Sequence, residues 1–191
     1  MRVLYYIGST QFSEVKGEMT PSAAMMNPGQ MLLPEFDHEM ANTRRMLERV
    51  PDGKFGWKPH EKSGALGWLA GHVAMMPLWA KITLTTPGLD LEAPFDYKPV
   101  IDTREQLLQV FDEHLKEART LLAEAEPETF AASWTLRRGE TEIFSMPRAA
   151  VMRSFVMNHM IHHRAQLSVY LRLLDVPVPG LYGPSADEGT M

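Results

Sequence analysis

The chain has 191 residues, a formal net charge of −5 and no cysteine. This length predicts a single domain, and the lack of cysteine excludes disulfides, thiolate metal ligands and a cysteine nucleophile. Lysine and arginine form no dense cluster, so we expect no nucleic-acid partner. No apolar run reaches the ~18–20 residues that span a bilayer. We therefore expect a soluble cytoplasmic protein that does not enter a membrane.

The first part of the chain differs from the rest. Residues 1–29 lack helical periodicity and contain several glycines and prolines, which predicts a disordered or extended leader before one domain over 30–191. Apolar residues then follow helical spacing over 31–50, and Pro51-Asp52-Gly53 ends this first helix.

The middle of the chain predicts two more helices. The second covers about 63–85 and is apolar almost all round, with Pro77 expected to kink it. A proline-rich connection over 86–102 follows. The third helix covers about 103–125, and Thr103 and Gln106 fit a capping box at its start.

The last third predicts a β-hairpin and a fourth helix. Residues 130–145 alternate as two short strands around Arg138-Gly139. Pro147 is expected to open the final helix, which ends near Asp175. Four long amphipathic helices favour an all-α fold, a four-helix bundle with a small β-hairpin before the last helix.

The fourth helix carries the most informative motif, Asn158-His-Met-Ile-His-His-Arg-Ala-Gln166. His159 and His163 are four residues apart, so they share one face and can reach one metal ion. A helical wheel places both at the centre of the apolar face, with His162 on its flank and Arg164 on the polar side. A pair of hydrogen-bonded core histidines is the alternative interpretation.

A metal site needs at least one more ligand. His72 is the best candidate, because it lies in the apolar second helix, where Gly67 and Gly71 are small enough to let a neighbouring helix come close. His114 is its rival, either as a fourth ligand or as an internal acid or base. Each could instead be a histidine that only packs between helices.

Several polar residues are candidates for supporting roles. Glu35, Asp37 and Gln166 could accept a hydrogen bond from a metal-bound imidazole. His162, His114 and Asp37 are the candidate catalytic acids or bases. Arg164 is predicted to lie on the surface.

Other catalytic motifs are missing. There is no His-Glu-x-x-His, no Gly-x-Ser-x-Gly and no glycine-rich nucleotide loop, nor the Glu-x-x-His pairs of di-iron bundles. With these motifs excluded, a mononuclear metal site with three histidines is the remaining possibility.

The chain resembles the DinB superfamily of four-helix bundles over about 31–188. Three segments carry the resemblance: Leu66-Gly-Trp-Leu-Ala-Gly-His72, Asn158 to Leu167, and Val178-Pro-Gly-Leu-Tyr-Gly-Pro-Ser-Ala-Asp-Glu188. The leader departs from the family pattern.

The resemblance implies a helix order of up-down-down-up and a homodimer. It also implies that His72, His159 and His163 bind a divalent metal, nickel or zinc first and iron or manganese next. Family members with known reactions include transferases that use an external low-molecular-weight thiol.

Three functions therefore stay open. The first is a metal-dependent enzyme acting on a small molecule, either a thiol-dependent S-transferase or a hydrolase. The second is a bundle that binds metal or a small molecule without catalysis. The third is a related protein without metal, whose histidines are satisfied by carbonyls and carboxylates.

Overall fold

A computed structural model describes residues 27–95 and 97–189. The predicted leader lies almost entirely outside the described residues, so the division at residue 29 stays a prediction. None of the helices in the described part is long and apolar enough to cross a membrane.

The structure is mostly helical and includes one small sheet, as the sequence predicts. The helices are α1 (Pro28–Leu47), α2 (Leu66–Ala74), α3 (Met76–Thr85), α4 (Arg104–Glu124), α5 (Pro127–Ala131), α6 (Arg148–Val151) and α7 (His159–Leu173), with a π-helix over Met152–Asn158. The strands are β1 (Gly88–Asp90), β2 (Ser133–Arg138) and β3 (Thr141–Pro147).

The long helices surround one apolar core. Helix α1 packs against α4 and α7, α2 packs against α7 and α4, and α3 packs against α4. Side chains from these helices, such as Phe36, Leu69, Phe111 and Leu167, are almost completely buried. Burial of a large apolar side chain contributes about 1.5–3 kcal/mol, so this core is what holds the helices together.

The predicted second helix is divided in two. Helix α2 ends at Ala74, and α3 begins at Met76 with Pro77 in its first turn. Proline has no N–H to donate to the carbonyl of Val73, so the helix cannot continue unbroken through this point. The predicted capping box of α4 is confirmed, since the side chains of Thr103 and Gln106 each bond the other's backbone N–H at 3.2 Å.

The predicted hairpin forms, but it belongs to a larger sheet. Strands β2 and β3 pair antiparallel, and β1 from the proline-rich connection pairs parallel with β2. Gly88 allows this pairing, because a Cβ there would lie 2.3 Å from the carbonyl oxygen of Thr135. A strand of three residues has too little periodicity to be predicted. Pro147 ends β3 and is also the N-cap residue of α6, so it opens the last helical segment as predicted but lies one position before the first turn.

The last helical segment changes its winding just before the histidine motif. The π-helix over Met152–Asn158 is wider than an α-helix, with i→i+5 hydrogen bonds. A helical wheel that assumes 100° per residue across this segment therefore assigns residues to the wrong side of the helix. The buried face of α7 consists of Met160, Arg164, Leu167 and Leu171.

Arg164 is buried, so its predicted surface position was wrong. Its side chain is 2% exposed and its Nη2 lies 2.6 Å from Oε2 of Glu39 on α1. Nη1 also donates to the backbone carbonyl of Glu39 at 2.9 Å and to Oγ1 of Thr43 at 3.0 Å. The sequence of the last helix gives no sign of this partner on α1, which is why the arginine was assigned to the surface.

The C-terminal tail covers this ion pair. The hydroxyl of Tyr182 donates to Oε2 of Glu39 at 2.7 Å and also contacts the guanidinium of Arg164. Further along, the carboxylate of Glu188 bonds Arg45 at 2.8 Å and Arg49 at 3.0 Å. The tail therefore docks on α1 and closes the buried pair against water.

His114 occupies a separate, buried position on α4. The ring of Tyr97 lies edge-on to it at 5.0 Å, and its Nε2 is buried without a hydrogen-bond partner. Burial lowers the pKa of His114, and nearby Lys81 lowers it further, against the opposite effect of Glu113 and Glu117.

The first prediction concerns the buried ion pair. Arg164→Met leaves the carboxylate of Glu39 buried without its partner, so we expect about 3–5 kcal/mol less free energy of unfolding in urea titrations. The double variant with Glu39→Gln should recover part of that loss. Arg119→Met, which breaks an exposed pair with Asp37, is the control and should cost no more than about 1 kcal/mol. Equal losses in the two arginine variants would contradict the structural role of Arg164.

The second prediction concerns pH. The pKa of His114 is lower in the folded chain than its ordinary value of 6.5. Below about pH 6.5 the unfolded chain therefore binds a proton that the folded chain does not, and stability falls with acidification. The free energy of unfolding of His114→Leu should thus decrease less between pH 7 and pH 5 than that of the wild type. His60→Leu, in an exposed loop, should keep the wild-type slope, and an unchanged slope in His114→Leu would refute this account.

Candidate metal centre

Two neighbouring helices bring the predicted histidines together. Helix α2 carries His72, α7 carries His159 and His163, and the two helices pack against each other. Within the described residues these three side chains form the one group of potential metal ligands, with all their ligand atoms within 4.8 Å of one another. All three are half-buried.

The ring nitrogens converge on a common point. Nε2 of His159 lies 2.8 Å from Nε2 of His163 and 3.4 Å from Nε2 of His72. Three imidazole nitrogens that bind one ion at 2.0–2.1 Å are separated by about 3.3–3.4 Å at tetrahedral angles and by about 2.9 Å at right angles. The observed separations fall close to this range, so the donor set fits a divalent metal ion.

Gln166 fixes the orientation of His163. Its Oε1 lies 2.9 Å from Nδ1 of His163, and its Nε2 lies 3.0 Å from Nε2 of His162. An amide oxygen can only accept, so the proton of a neutral His163 sits on Nδ1 and the lone pair of Nε2 faces the other two histidines. The predicted supporting position of Gln166 is therefore what the structure shows.

The hydrogen bonding of the buried Nδ1 atom of His159 is incomplete. Its Nδ1 is buried and makes no hydrogen bond of normal geometry, although the carbonyl of Phe155 lies close enough to raise the pKa of the ring. A proton on Nδ1 would face this carbonyl and would leave two lone pairs opposed at 2.8 Å on His159 and His163. With the proton on Nε2 instead, His159 donates to His163, and its buried Nδ1 lone pair is left without a donor. Each neutral form therefore leaves one position of the ring unsatisfied, and a cation on the Nε2 side, with the proton on Nδ1, would relieve this.

Two of the three histidines favour the neutral form. The pKa of His72 is lowered to about 4, mainly by burial and also by the proximity of His163 and His159. The pKa of His159 is lowered for the same reasons, with burial as the main cause. Neutral imidazole is the form that binds metal, so at neutral pH these two rings need not lose a proton first.

Aromatic side chains support the cluster. The ring of Trp68, one turn before His72, stacks on the imidazole at 5.4 Å between centroids and 3° between planes. Phe155 lies 5.6 Å from the ring of His159. These contacts limit the rotation of the two imidazoles about their side-chain bonds.

The structure does not bring the other candidate residues into the cluster. The carboxylate of Asp37 accepts two hydrogen bonds from exposed Arg119, and Glu35 forms an ion pair with Arg153. His114 lies in its own buried position on α4. His162 lies at the edge of the cluster, where its ring is 5.0 Å from that of His163.

A groove beside His72 was not predicted from the sequence. Its volume is about 580 Å³, and its lining includes Trp68, Gly71 and His72 together with side chains of α3 and of the connection over 86–102. The sequence signal for this groove was Trp68, a large aromatic residue one helical turn before the candidate ligand His72. A second cavity of about 640 Å³ lies along the edge of the sheet and contains no histidine, so the groove is the one that accompanies the candidate metal centre.

Relatives of the chain are found by sequence and by structure. An uncharacterized protein of Bacillus subtilis (strain 168), YrdA, is 24% identical over 160 residues, which cover 82% of this chain and 89% of that protein. The crystal structure of the DinB-like protein YjoA from Bacillus subtilis covers 81% of this chain and 99% of its own, with a TM-score of 0.61 and 16% identity.

A second crystal structure gives the same fold. The DinB-like protein from Bacillus cereus ATCC 10987 has a TM-score of 0.61 and 21% identity, and the match covers 79% of this chain and 95% of that chain. The sequence model of the DinB family matches residues 25–190, a range that includes every residue the structure describes. The chain therefore belongs to the DinB family.

Proposed function

We propose that this protein is a divalent-metal-dependent enzyme whose mononuclear site consists of His72, His159 and His163. The observation that carries the proposal is the convergence of the three ring nitrogens, with ligand atoms of all three histidines within 4.8 Å of one another. Three imidazoles suit nickel or zinc, and also iron or manganese. Because only three protein ligands are supplied, at least one coordination position is left for a substrate or water.

The proposed reaction is the transfer of a low-molecular-weight thiol to a small-molecule electrophile. The chemistry supplied by an ion in this site is Lewis acidity, which favours the deprotonated form of a thiol or of water. The thiol must come from outside, since the chain has no cysteine. Its proton passes to a base, its sulfur forms a bond to the electrophilic carbon, and the leaving group departs with the bonding electron pair.

His162 is the proposed base. It lies beside the cluster and is exposed, and its Nε2 accepts a hydrogen bond from Nε2 of Gln166 at 3.0 Å, which His162 must release in order to take up the proton of the thiol. A neutral imidazole that accepts a proton near pH 7 is well matched to this step. Hydrolysis is the alternative reaction, with water in place of the thiol, and binding without catalysis is the alternative function.

The proposal includes an architecture and an assembly. The long helices are taken to form a four-helix bundle with up-down-down-up order, in which the connection over 86–102 provides part of the crossover. The protein is proposed to be a homodimer. Two apolar residues on one face of α7 support this, because Val169 is 56% exposed and Leu173 is 58% exposed.

The third prediction tests the metal. Wild-type protein reloaded with a panel of divalent ions should retain about one equivalent by elemental mass spectrometry, as one mononuclear site requires. The double variant His159→Ala/His163→Ala should retain almost none while its circular dichroism stays helical. His60→Ala removes a loop histidine and should bind like the wild type. A wild type that retains no metal would refute the proposed function.

The fourth prediction tests the reaction. Metal-loaded protein should accelerate loss of a low-molecular-weight thiol in the presence of an aromatic electrophile, and treatment with a chelator should abolish the rate. His162→Ala should lower kcat by about 100-fold with the metal content unchanged, because it removes the general base. His38→Ala, on α1, is the control and should keep full activity. Turnover of aryl esters without thiol would instead identify a hydrolase.

A further inference from the structure

The groove beside His72 has the dimensions of a binding site for a small organic molecule. It runs along one side of α2 and α3, is bounded on the other side by the connection over 86–102, and encloses about 580 Å³. Pockets that bury a molecule of this class measure about 300–1,000 Å³. His72 forms part of the lining, so the groove adjoins the proposed metal centre.

The lining of the groove is mostly apolar. Tryptophan, methionine, leucine, isoleucine, phenylalanine and proline side chains form most of it, and His72 and Asp90 are the two titratable residues among its described lining. The oxygens of Asp90 are already occupied, since Oδ1 accepts from the N–H groups of Glu92 at 3.0 Å and Gly139 at 2.9 Å, and Oδ2 pairs with Arg137 at 3.3 Å. Among the described residues of the lining, no unpaired charge is therefore offered to a ligand, and a charged ligand would lose hydration without compensation from them.

Trp68 gives the groove a flat aromatic wall next to the histidines. Its side chain is 60% exposed, which is unusual for a tryptophan, while one face of its ring lies against His72. Aromatic rings stack best on other flat rings in offset or edge-to-face arrangements. The exposed parts of the indole are thus available for an aromatic group of the ligand.

Gly71 leaves space on the helix side of the groove. A Cβ at this position would meet only Cδ1 of Ile101, at an ordinary contact distance of 3.6 Å. A side chain longer than alanine would therefore extend into the groove instead of clashing with the backbone. By contrast, Gly67 is held against Phe55, whose Cδ1 lies 2.7 Å from the position of a Cβ.

We propose that the groove binds an uncharged small molecule with an aromatic ring, which packs on Trp68 and over Gly71 with its reacting group at the His72 end. Trp68 is then a specificity-determining residue. The orientation of the ligand, with its reacting group at His72, rests on the proposed metal function. The binding of an apolar molecule in the groove does not depend on that function.

The test measures binding of 2-naphthol to the full-length protein by isothermal titration calorimetry, with and without metal. Binding should be saturable with one molecule per chain, and 2-naphthalenesulfonate should bind the metal-free protein about 10-fold more weakly because its charge is not compensated. Trp68→Ala should weaken 2-naphthol binding by about 10-fold, and Trp68→Phe should restore most of it. Gly71→Leu should abolish binding by filling the groove.

Ile143→Ser provides the matched control, because it removes an exposed apolar side chain on β3 that is not part of the groove and should leave 2-naphthol binding unchanged. Failure of the metal-free wild type to bind 2-naphthol would overturn this inference while leaving the proposed metal function intact. Equal binding in Trp68→Ala and the wild type would also overturn it. A change of oligomeric size in Trp68→Ala with no change in binding would instead assign the groove to a contact between subunits.

Discussion

The orientation of the last helix depends on one buried ion pair. Arg164 of α7 is held by Glu39 of α1, and Tyr182 of the tail shields both from water. Since consecutive helical residues point about 100° apart, an inward Arg164 directs the preceding residue, His163, sideways to α2. The pair thus sets which side of α7 faces His72. A buried pair of this kind is costly to break, because either partner alone would be an uncompensated buried charge.

The arrangement of the three histidines follows from that constraint. His159 and His163 lie on the flank of the buried face, where they are half-buried and meet His72 across the interface of α2 and α7. Burial keeps the pKa of His72 and of His159 low, so both rings are neutral ligands near pH 7. Gln166 completes the arrangement by holding the proton of His163 away from the common point.

The sequence predicts the local features of this protein better than its long-range pairings. The helices, the capping box at Thr103 and the placing of His159 and His163 one turn apart depend on spacing within short segments, and the structure contains them, with the second helix divided in two. His72 lies 87 positions before His159, so its place beside them is a long-range feature. The ion pair of Arg164 joins residues 125 positions apart, and the π-helix alters the register of the wheel just before the motif. Neither has a local signature. The pairing of Asp37 with Arg119 likewise could not be read from α1 alone.

The groove and the histidine cluster meet at His72, so the proposed apolar substrate would lie beside the proposed metal centre. X-ray absorption at the edge of the bound metal tests the central claim of the account most directly. The account predicts three imidazole nitrogens at about 2.0–2.1 Å, with at least one further light-atom ligand that is exchanged when a thiol is added. A spectrum with only oxygen ligands, or one unchanged in His72→Ala, would contradict it.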